Sequence, residues 1–143
     1  MPTRNAEARW EGSLSDGKGT MRSATGAIDG AYSFSSRFED GSGTNPEELL
    51  AAAHAGCYSM ALANELGKEG HVPDSVETTA KVHLEKDDDG FSIPKIELVT
   101  TATVPGIEDD AFQQIAEATS KACPVSKVLA GAEITLEATL SGG

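Results

Sequence analysis

The sequence contains two cysteines, Cys57 and Cys123, and their surroundings differ. Cys123 precedes Pro124, and proline disfavours a helical residue before it while suiting the first position of a helix itself. Cys123 is therefore expected at the N-cap of a short helix, where unpaired backbone N–H groups stabilise a thiolate. Cys57 lies in an apolar stretch without nearby positive charge in the sequence, where inert core packing is the commoner role of a cysteine.

His54 stands three residues before Cys57, a spacing that places both side chains on one face of a helix. With Cys123, these residues form a candidate metal site. Zinc requires three or four ligands, and the remaining histidines, His71 and His83, lie far along the chain. A histidine that is packed in the core or capped by solvent is the simpler interpretation of His54.

Charge and motifs exclude several other functions. The 143 residues include 11 basic and 23 acidic side chains, giving a net charge of −12 at pH 7. Nucleic acids and anionic membrane surfaces both attract Lys and Arg, so neither is an expected partner. The segment GSGTN at residues 41–45 lacks the lysine of a phosphate-binding loop. The sequence also shows no nucleophile elbow.

The most apolar segment runs from Leu49 to Asn64 and carries no formal charge. It is shorter than the roughly 20 residues that span a bilayer, so a buried core helix is expected. The first ten residues, MPTRNAEARW, show no apolar stretch typical of a signal peptide. We therefore expect a cytoplasmic protein, whose thiols are kept reduced.

The elements that position these residues begin with strands predicted at residues 6–13, 20–24 and 31–38 by their alternation and turn residues. A long helix follows. Asn45 and Pro46 are typical of its N-cap and first position, and the pattern continues to about residue 69 before Gly70. Its middle is small and apolar on nearly all sides, which predicts packing around its whole circumference.

The second half of the chain alternates again between residues 76 and 104 and predicts a hairpin, in which Pro94 marks an edge strand or a bulge. A second helix is expected to be capped by Asp109 or Asp110 and to be interrupted at Pro124. Its predicted inner face consists of Phe112, Ile115, Ala116 and Thr119. A last strand is expected over residues 134–140. Strands and helices that are segregated in this way indicate an α+β fold.

Short motifs recur along the chain in a distinctive order. They are WEG (10–12), GKGT (17–20), SRFE (36–39), GTNPEEL (43–49), AAHAGCYSMAL (52–62) and CPVS (123–126). Together they resemble the OsmC/Ohr family, nearest its OsmC (osmotically inducible protein C) branch. The resemblance implies an OsmC-like fold of antiparallel sheets with a long buried central helix and a second, broken helix. It also implies a single domain over residues 1–143, assembled as an intertwined dimer.

The resemblance further implies a stress-defence enzyme that reduces organic hydroperoxides without a cofactor. Cys57 would be the peroxidatic thiol and Cys123 the resolving thiol, and Arg37 and Glu47 match the active-site arginine and glutamate of the family. A guanidinium lowers the pKa of a nearby thiol, and a carboxylate can hold its planar fork. The implied reductant is a dithiol, in particular a lipoylated protein with its reductase.

Helix geometry adds an expectation about assembly. Glu47 and Cys57 are ten residues apart on one predicted helix, and thus about 15 Å apart along its axis. A glutamate side chain spans only a few ångströms, so Glu47 is not expected to reach its own Cys57. We expect a homodimer with shared active sites, each taking Cys57 and Cys123 from one protomer and Glu47 with Arg37 from the other.

Two other functional classes stay open at the level of sequence. One is an OsmC-fold binding or stress-adaptation protein with little peroxidase activity, although the presence of both cysteines disfavours it. The other is a metal-binding protein that uses His54, Cys57 and Cys123.

Overall fold

The computed structural model describes residues 1–142, which form two compact units, Met1–Leu49 and a second that begins at Leu50. The first unit contains an antiparallel sheet of order β1-β2-β3. Burial alternates along β2 and β3, whereas β1 is exposed at every residue except Trp10, and the helix α1 follows the three strands. These elements span Ala6–Glu11 (β1), Lys18–Ser23 (β2), Asp29–Tyr32 (β3) and Phe34–Phe38 (α1).

The helix α1 corrects the prediction of a strand over residues 31–38. Strand β3 ends at Tyr32, and Ser33 caps the helix by a reciprocal capping box with Ser36. The Ser33 hydroxyl accepts from the Ser36 N–H at 3.1 Å, and the Ser36 hydroxyl accepts from the Ser33 N–H at 2.8 Å. These local bonds satisfy helix-terminal donors in a segment whose hydrophobic pattern is too weak to indicate a helix.

The long helix α2 spans Pro46–Lys68. Its predicted start is confirmed, because the Asn45 side chain accepts from the Glu48 N–H at 2.7 Å. Gly70 follows the helix with φ +86°, a conformation that favours glycine.

The packing of α2 differs from the prediction of burial on all sides. Tyr58, Leu62 and Leu66 are fully buried at a spacing of four residues, whereas Ala53, Gly56 and Met60 are exposed. The described chain thus covers one face of the helix and leaves an opposite apolar face exposed.

The second unit contains a sheet of order β4-β5-β6, whose strands span Ser75–Asp87 (β4), Gly90–Val104 (β5) and Glu133–Gly142 (β6). The predicted hairpin of β4 and β5 is antiparallel, as expected. Strand β6 instead pairs parallel to β5. The intervening helices return the chain to the opposite end of the sheet, as a parallel connection requires. The predicted antiparallel pairing is therefore confirmed for β1–β2, β2–β3 and β4–β5, and it is wrong for β5–β6.

Pro94 lies at a bulge of the central strand β5. The register changes from His83 opposite Lys95 to Glu85 opposite Ser92, so one residue of β4 faces two of β5. Pairing with β6 starts only at Lys95, so the missing N–H of Pro94 falls outside that ladder. The bulge is therefore confirmed, and although β5 is the central strand of the sheet, Pro94 lies where β5 has no pairing with β6, as expected for an edge position.

The broken helix consists of α3, Asp109–Ala122, and α4, Pro124–Val128. The residue that precedes α3 as its N-cap is Glu108 rather than an aspartate. Phe112, Ala116 and Thr119 are buried, as predicted for its inner face, and the core of this unit joins α3 to α2 and to the sheet. Between residues 1 and 142, no helix is long and apolar enough to cross a bilayer.

Candidate functional site

The two thiols lie against each other in the second unit. The Sγ atoms of Cys57 on α2 and Cys123 are 2.9 Å apart, and both cysteines are free. Cys123 is 1% exposed, whereas Cys57 is only partly buried. The fold therefore brings together two residues that are far apart in the sequence, with Cys57 as the more accessible sulfur.

Backbone geometry explains the position of Cys123. This residue ends α3 and is the N-cap of α4, with φ −54° and ψ 128°. Pro124 occupies the first turn of α4, and the residue before a proline is disfavoured from helical torsions. The predicted N-cap is confirmed, and the break between the helices directs the Cys123 side chain towards α2.

The surroundings of the two sulfurs shift their pKa values in opposite directions. Burial, followed by interaction with the Cys123 side chain, raises the pKa of the Cys57 thiol. Burial also acts to raise the pKa of Cys123, but the Cys57 thiol, the Ser126 N–H and hydroxyl and the Val125 N–H together lower it. Among the described residues of one chain, the pKa of Cys57 is therefore raised and not lowered as expected, whereas that of Cys123 is lowered.

A buried histidine lies one helical turn before Cys57. His54 is fully buried, and its Nε2 is 2.7 Å from the Oγ of Ser126, which is 3% exposed. Burial lowers the pKa of the imidazole. The interpretation of His54 as a packed histidine agrees with this position. The contact with Ser126 was not predicted, because the two residues are 72 positions apart and no local pattern joins them.

Arg37 and Glu47 form a planar ion pair within the first unit. Arg37 donates from Nε to Glu47 Oε1 and from Nη2 to Oε2, each over 3.0 Å. Glu47 is 7% exposed, and the Arg37 guanidinium lies 5.3 Å from the centroid of the Phe38 ring. A bidentate pair of this kind fixes the orientation of the guanidinium.

The loop between α1 and α2 holds this pair in place. The Ser36 hydroxyl donates to the Thr44 carbonyl at 2.8 Å, and the Asn45 amide donates to the Ser36 carbonyl at 2.9 Å. These bonds join the helix that carries Arg37 to the start of the helix that carries Glu47. As for the metal alternative, the described residues contain no group of three or more His, Cys, Asp or Glu side chains that could hold an ion.

Comparison with known families decides the relationship. The family described as OsmC-like protein matches residues 39–139. This chain belongs to the OsmC-like family. The matched range contains Glu47, Cys57 and Cys123, whereas Arg37 lies two residues before it.

Similar proteins agree with this membership. The chain is 48% identical over 135 residues to "Peroxiredoxin OsmC" of Escherichia coli (strain K12), which covers 94% of each chain. It is 34% identical over 95 residues to "Organic hydroperoxide resistance protein OhrB" of Bacillus subtilis (strain 168), over 65% of this chain and 67% of that one. The crystal structure of OhrB of Bacillus subtilis superposes with a TM-score of 0.69 and 25% identity, covering 96% and 98% of the two chains. The predicted resemblance to the OsmC/Ohr family and its α+β fold are confirmed.

Proposed function

We propose that this chain reduces organic hydroperoxides to alcohols, with Cys57 as the attacking thiol and Cys123 as the resolving thiol. The chain is a Cys-based thiol peroxidase, since its OsmC-like relatives include a peroxiredoxin and organic hydroperoxide resistance proteins. The observation that carries the assignment of residues is the 2.9 Å distance between the Cys57 and Cys123 sulfur atoms. Two thiols at that distance can be joined as a disulfide with little movement of the backbone.

The proposed reaction has two steps. The Cys57 thiolate attacks the terminal oxygen of the hydroperoxide, the O–O bond breaks, and the alkoxide leaves as an alcohol after it takes a proton. Cys57 is then a sulfenic acid. The Cys123 sulfur attacks the Cys57 sulfur, the S–O bond breaks, and water leaves. Cys57 is the better first nucleophile because it is the more exposed of the two.

Arg37 and Glu47 are proposed to complete each site from the other protomer. Positions 47 and 57 are separated by about 15 Å along α2, which exceeds the reach of a glutamate side chain. The Arg37 guanidinium, held flat by Glu47, would lower the pKa of Cys57 and donate hydrogen bonds to the developing alkoxide. That positive charge would offset the burial that raises the Cys57 pKa in the single protomer.

A homodimer is proposed because of the uncovered face of α2. Ala53, Gly56 and Met60 are exposed on this face, and Met60 is 78% exposed. A contiguous apolar helix face is unfavourable in water, and a second copy of the same face would cover it around a twofold axis. We also propose that residues 1–143 act as one domain, since α2 begins in the first unit and ends in the second.

The enzyme requires a thiol reductant to return the disulfide to two thiols. We propose a dithiol carried by a lipoylated protein with its reductase, because a dithiol releases the mixed disulfide by closing a ring within itself. The cycle requires a compartment in which thiols are kept reduced, which favours the cytoplasm.

Thiol counting tests this proposal. The reduced protein is treated with one equivalent of cumene hydroperoxide per chain, free thiols are titrated, and non-reducing peptide mass spectrometry locates the disulfide. We expect two thiols lost per chain, one alcohol formed and a Cys57–Cys123 disulfide within one chain. Unchanged thiols with unconsumed hydroperoxide would instead indicate a binding or stress-adaptation protein, and metal found by elemental analysis would indicate a metal-binding protein.

A further inference from the structure

Beside the two thiols lies a buried polar pair that the two-step reaction does not use. His54 on α2 and Ser126 on α4 are 0% and 3% exposed, and His54 Nε2 is 2.7 Å from Ser126 Oγ. His54 precedes Cys57 by three residues, and Ser126 follows Cys123 by three. The pair therefore links the same two helices as the thiols do.

The unpaired nitrogen of His54 determines which way this hydrogen bond points. His54 Nδ1 is buried and has no hydrogen-bond partner among the described residues. Buried N–H groups without a partner are rarer than buried acceptors without one. Nδ1 is thus the bare acceptor, and the proton of the neutral ring sits on Nε2. His54 Nε2–H then donates to Ser126 Oγ, which leaves the Ser126 hydroxyl hydrogen for another acceptor.

Ser126, the other member of the pair, lies one helical turn from Cys123. Cys123 is the N-cap of α4 and Ser126 is the third residue of that helix, so both belong to its first turn. The Ser126 hydroxyl and N–H are among the groups that lower the pKa of Cys123. The hydrogen bond between His54 and Ser126 therefore joins α2 to the first turn of α4, next to the 2.9 Å contact between Cys57 and Cys123.

We infer that His54 and Ser126 are positioning residues for the resolving step: their hydrogen bond holds the first turn of α4 against α2 and so keeps the Cys123 sulfur ready to attack oxidised Cys57. This inference rests on the proposed function. In the step, the Cys123 thiolate forms the S–S bond and the S–O bond of the Cys57 sulfenic acid breaks. The leaving hydroxide takes the proton that the Cys123 thiol released and departs as water.

The ionisable groups around Cys123, in the part of the chain that the structure describes, allow this effect to be isolated. Cys57 and Tyr58 act on it from α2, and His54 contacts Ser126 beside it. Burial, then Glu117 and Cys123 itself, raise the pKa of Tyr58, whose hydroxyl donates to the Ala116 carbonyl at 3.0 Å, so the phenol is neutral near pH 7. Burial likewise keeps His54 neutral. The pKa of Cys57 is raised and that of Cys123 is lowered, so a shift in the midpoint pH of the second step reports on Cys123.

Single-turnover kinetics separate the two steps. Reduced protein is mixed with one equivalent of cumene hydroperoxide. Hydroperoxide consumption reports the first step, and loss of the dimedone-reactive sulfenic acid reports the second. Ser126→Ala and His54→Leu are expected to slow the second step about tenfold, near the upper end of what one neutral hydrogen bond contributes, with the first step unchanged. His54→Gln, which keeps an N–H donor at a similar reach, should restore much of the rate.

A matched control is Ser120→Ala. Ser120 is a buried serine whose hydroxyl donates to the Glu117 carbonyl of its own helix, so neither step should change. The midpoint pH of the second step should rise in Ser126→Ala but not in Ser120→Ala. Equal slowing of both steps, no slowing of the second, or no difference between His54→Gln and His54→Leu would overturn the inference.

The tautomer of His54 gives a readout that needs no variant. Nitrogen-15 correlation spectra of the wild-type protein should show the proton on Nε2 across neutral pH. A proton on Nδ1 would contradict the direction inferred for the hydrogen bond from His54 to Ser126. If wild-type protein does not consume the hydroperoxide, the proposed function fails. If it consumes the hydroperoxide and forms the disulfide while the variants match it, only the inference about His54 and Ser126 fails.

Discussion

Arg37 donates two parallel hydrogen bonds to Glu47, from Nε to Oε1 and from Nη2 to Oε2, each 3.0 Å long. The two side chains come from neighbouring helices, α1 and the first turn of α2. The carboxylate is nearly buried and the guanidinium is about one third exposed, at 10% and 35% of their side-chain surfaces. Glu47 thus fixes the orientation of the Arg37 guanidinium, which stays accessible to a ligand.

Replacing this arginine tests its role in catalysis. Arg37→Ala is expected to slow hydroperoxide reduction about a hundredfold, the usual effect of removing one donor from a developing oxyanion. It should also shift Cys57 alkylation by iodoacetamide to higher pH. Arg37→Lys should recover little, because an ammonium group cannot form the planar pair with Glu47. Arg22→Ala, which removes an exposed pair with Glu7, serves as the control. Wild-type activity in Arg37→Ala would exclude the proposed role.

Complementation tests the shared site. Cys57→Ser and Glu47→Ala chains should each be inactive alone. After equimolar co-refolding, each mixed dimer should contain one intact site, which pairs the Cys57 of one chain with the Glu47 of the other. With random pairing, about one quarter of wild-type activity is expected. Mixed dimers that form and remain inactive would show that each site is built within one chain.

The exposed face of α2 predicts where the dimer forms. Met60 and Val128 are equally exposed, at 78%, but only Met60 lies on this face. Met60→Glu should give a monomer with an unchanged far-UV circular dichroism spectrum, because a charge at the centre of an apolar interface is left without a partner. Val128→Glu should leave the sedimentation coefficient of the dimer unchanged. The proposed interface is wrong if both variants sediment alike.

The coupling between the thiols predicts a pH effect. Burial raises the pKa of Cys57 most, and the Cys123 side chain raises it further. Cys123→Ala should therefore lower the Cys57 pKa, and the alkylation rate of Cys57 should reach its midpoint at a lower pH than in the wild type. Cys123→Ser, which keeps a hydroxyl at this position, should shift the midpoint less. A midpoint that moves to higher pH would contradict the proposed interaction.

The sequence predicted elements well where local signals were strong. Asn45 and Pro46 marked the start of α2, and Pro124 marked the N-cap at Cys123. The sequence did not predict α1, because this helix is stabilised by a capping box of two serines in a polar segment and shows no clear hydrophobic periodicity. It also did not predict the parallel pairing of β6, because alternation identifies a strand but not the direction of its neighbour.

Long-range contacts of the site were predictable only in part. The pairing of Cys57 with Cys123 was implied by the family resemblance, since no local pattern links positions so far apart. Nothing in the sequence predicted the contact between His54 and Ser126. It depends on the packing of α2 against α4, which brings together residues 72 positions apart.

Single-turnover reaction of the two cysteine variants shows which thiol attacks the hydroperoxide and which one resolves the sulfenic acid. Reduced Cys57→Ser and Cys123→Ser are each mixed with one equivalent of cumene hydroperoxide in the presence of dimedone. We predict that Cys123→Ser consumes the equivalent and yields a dimedone adduct on Cys57, while Cys57→Ser consumes none. Consumption by Cys57→Ser with an adduct on Cys123, and no reaction of Cys123→Ser, would contradict the proposed mechanism and reverse the two roles.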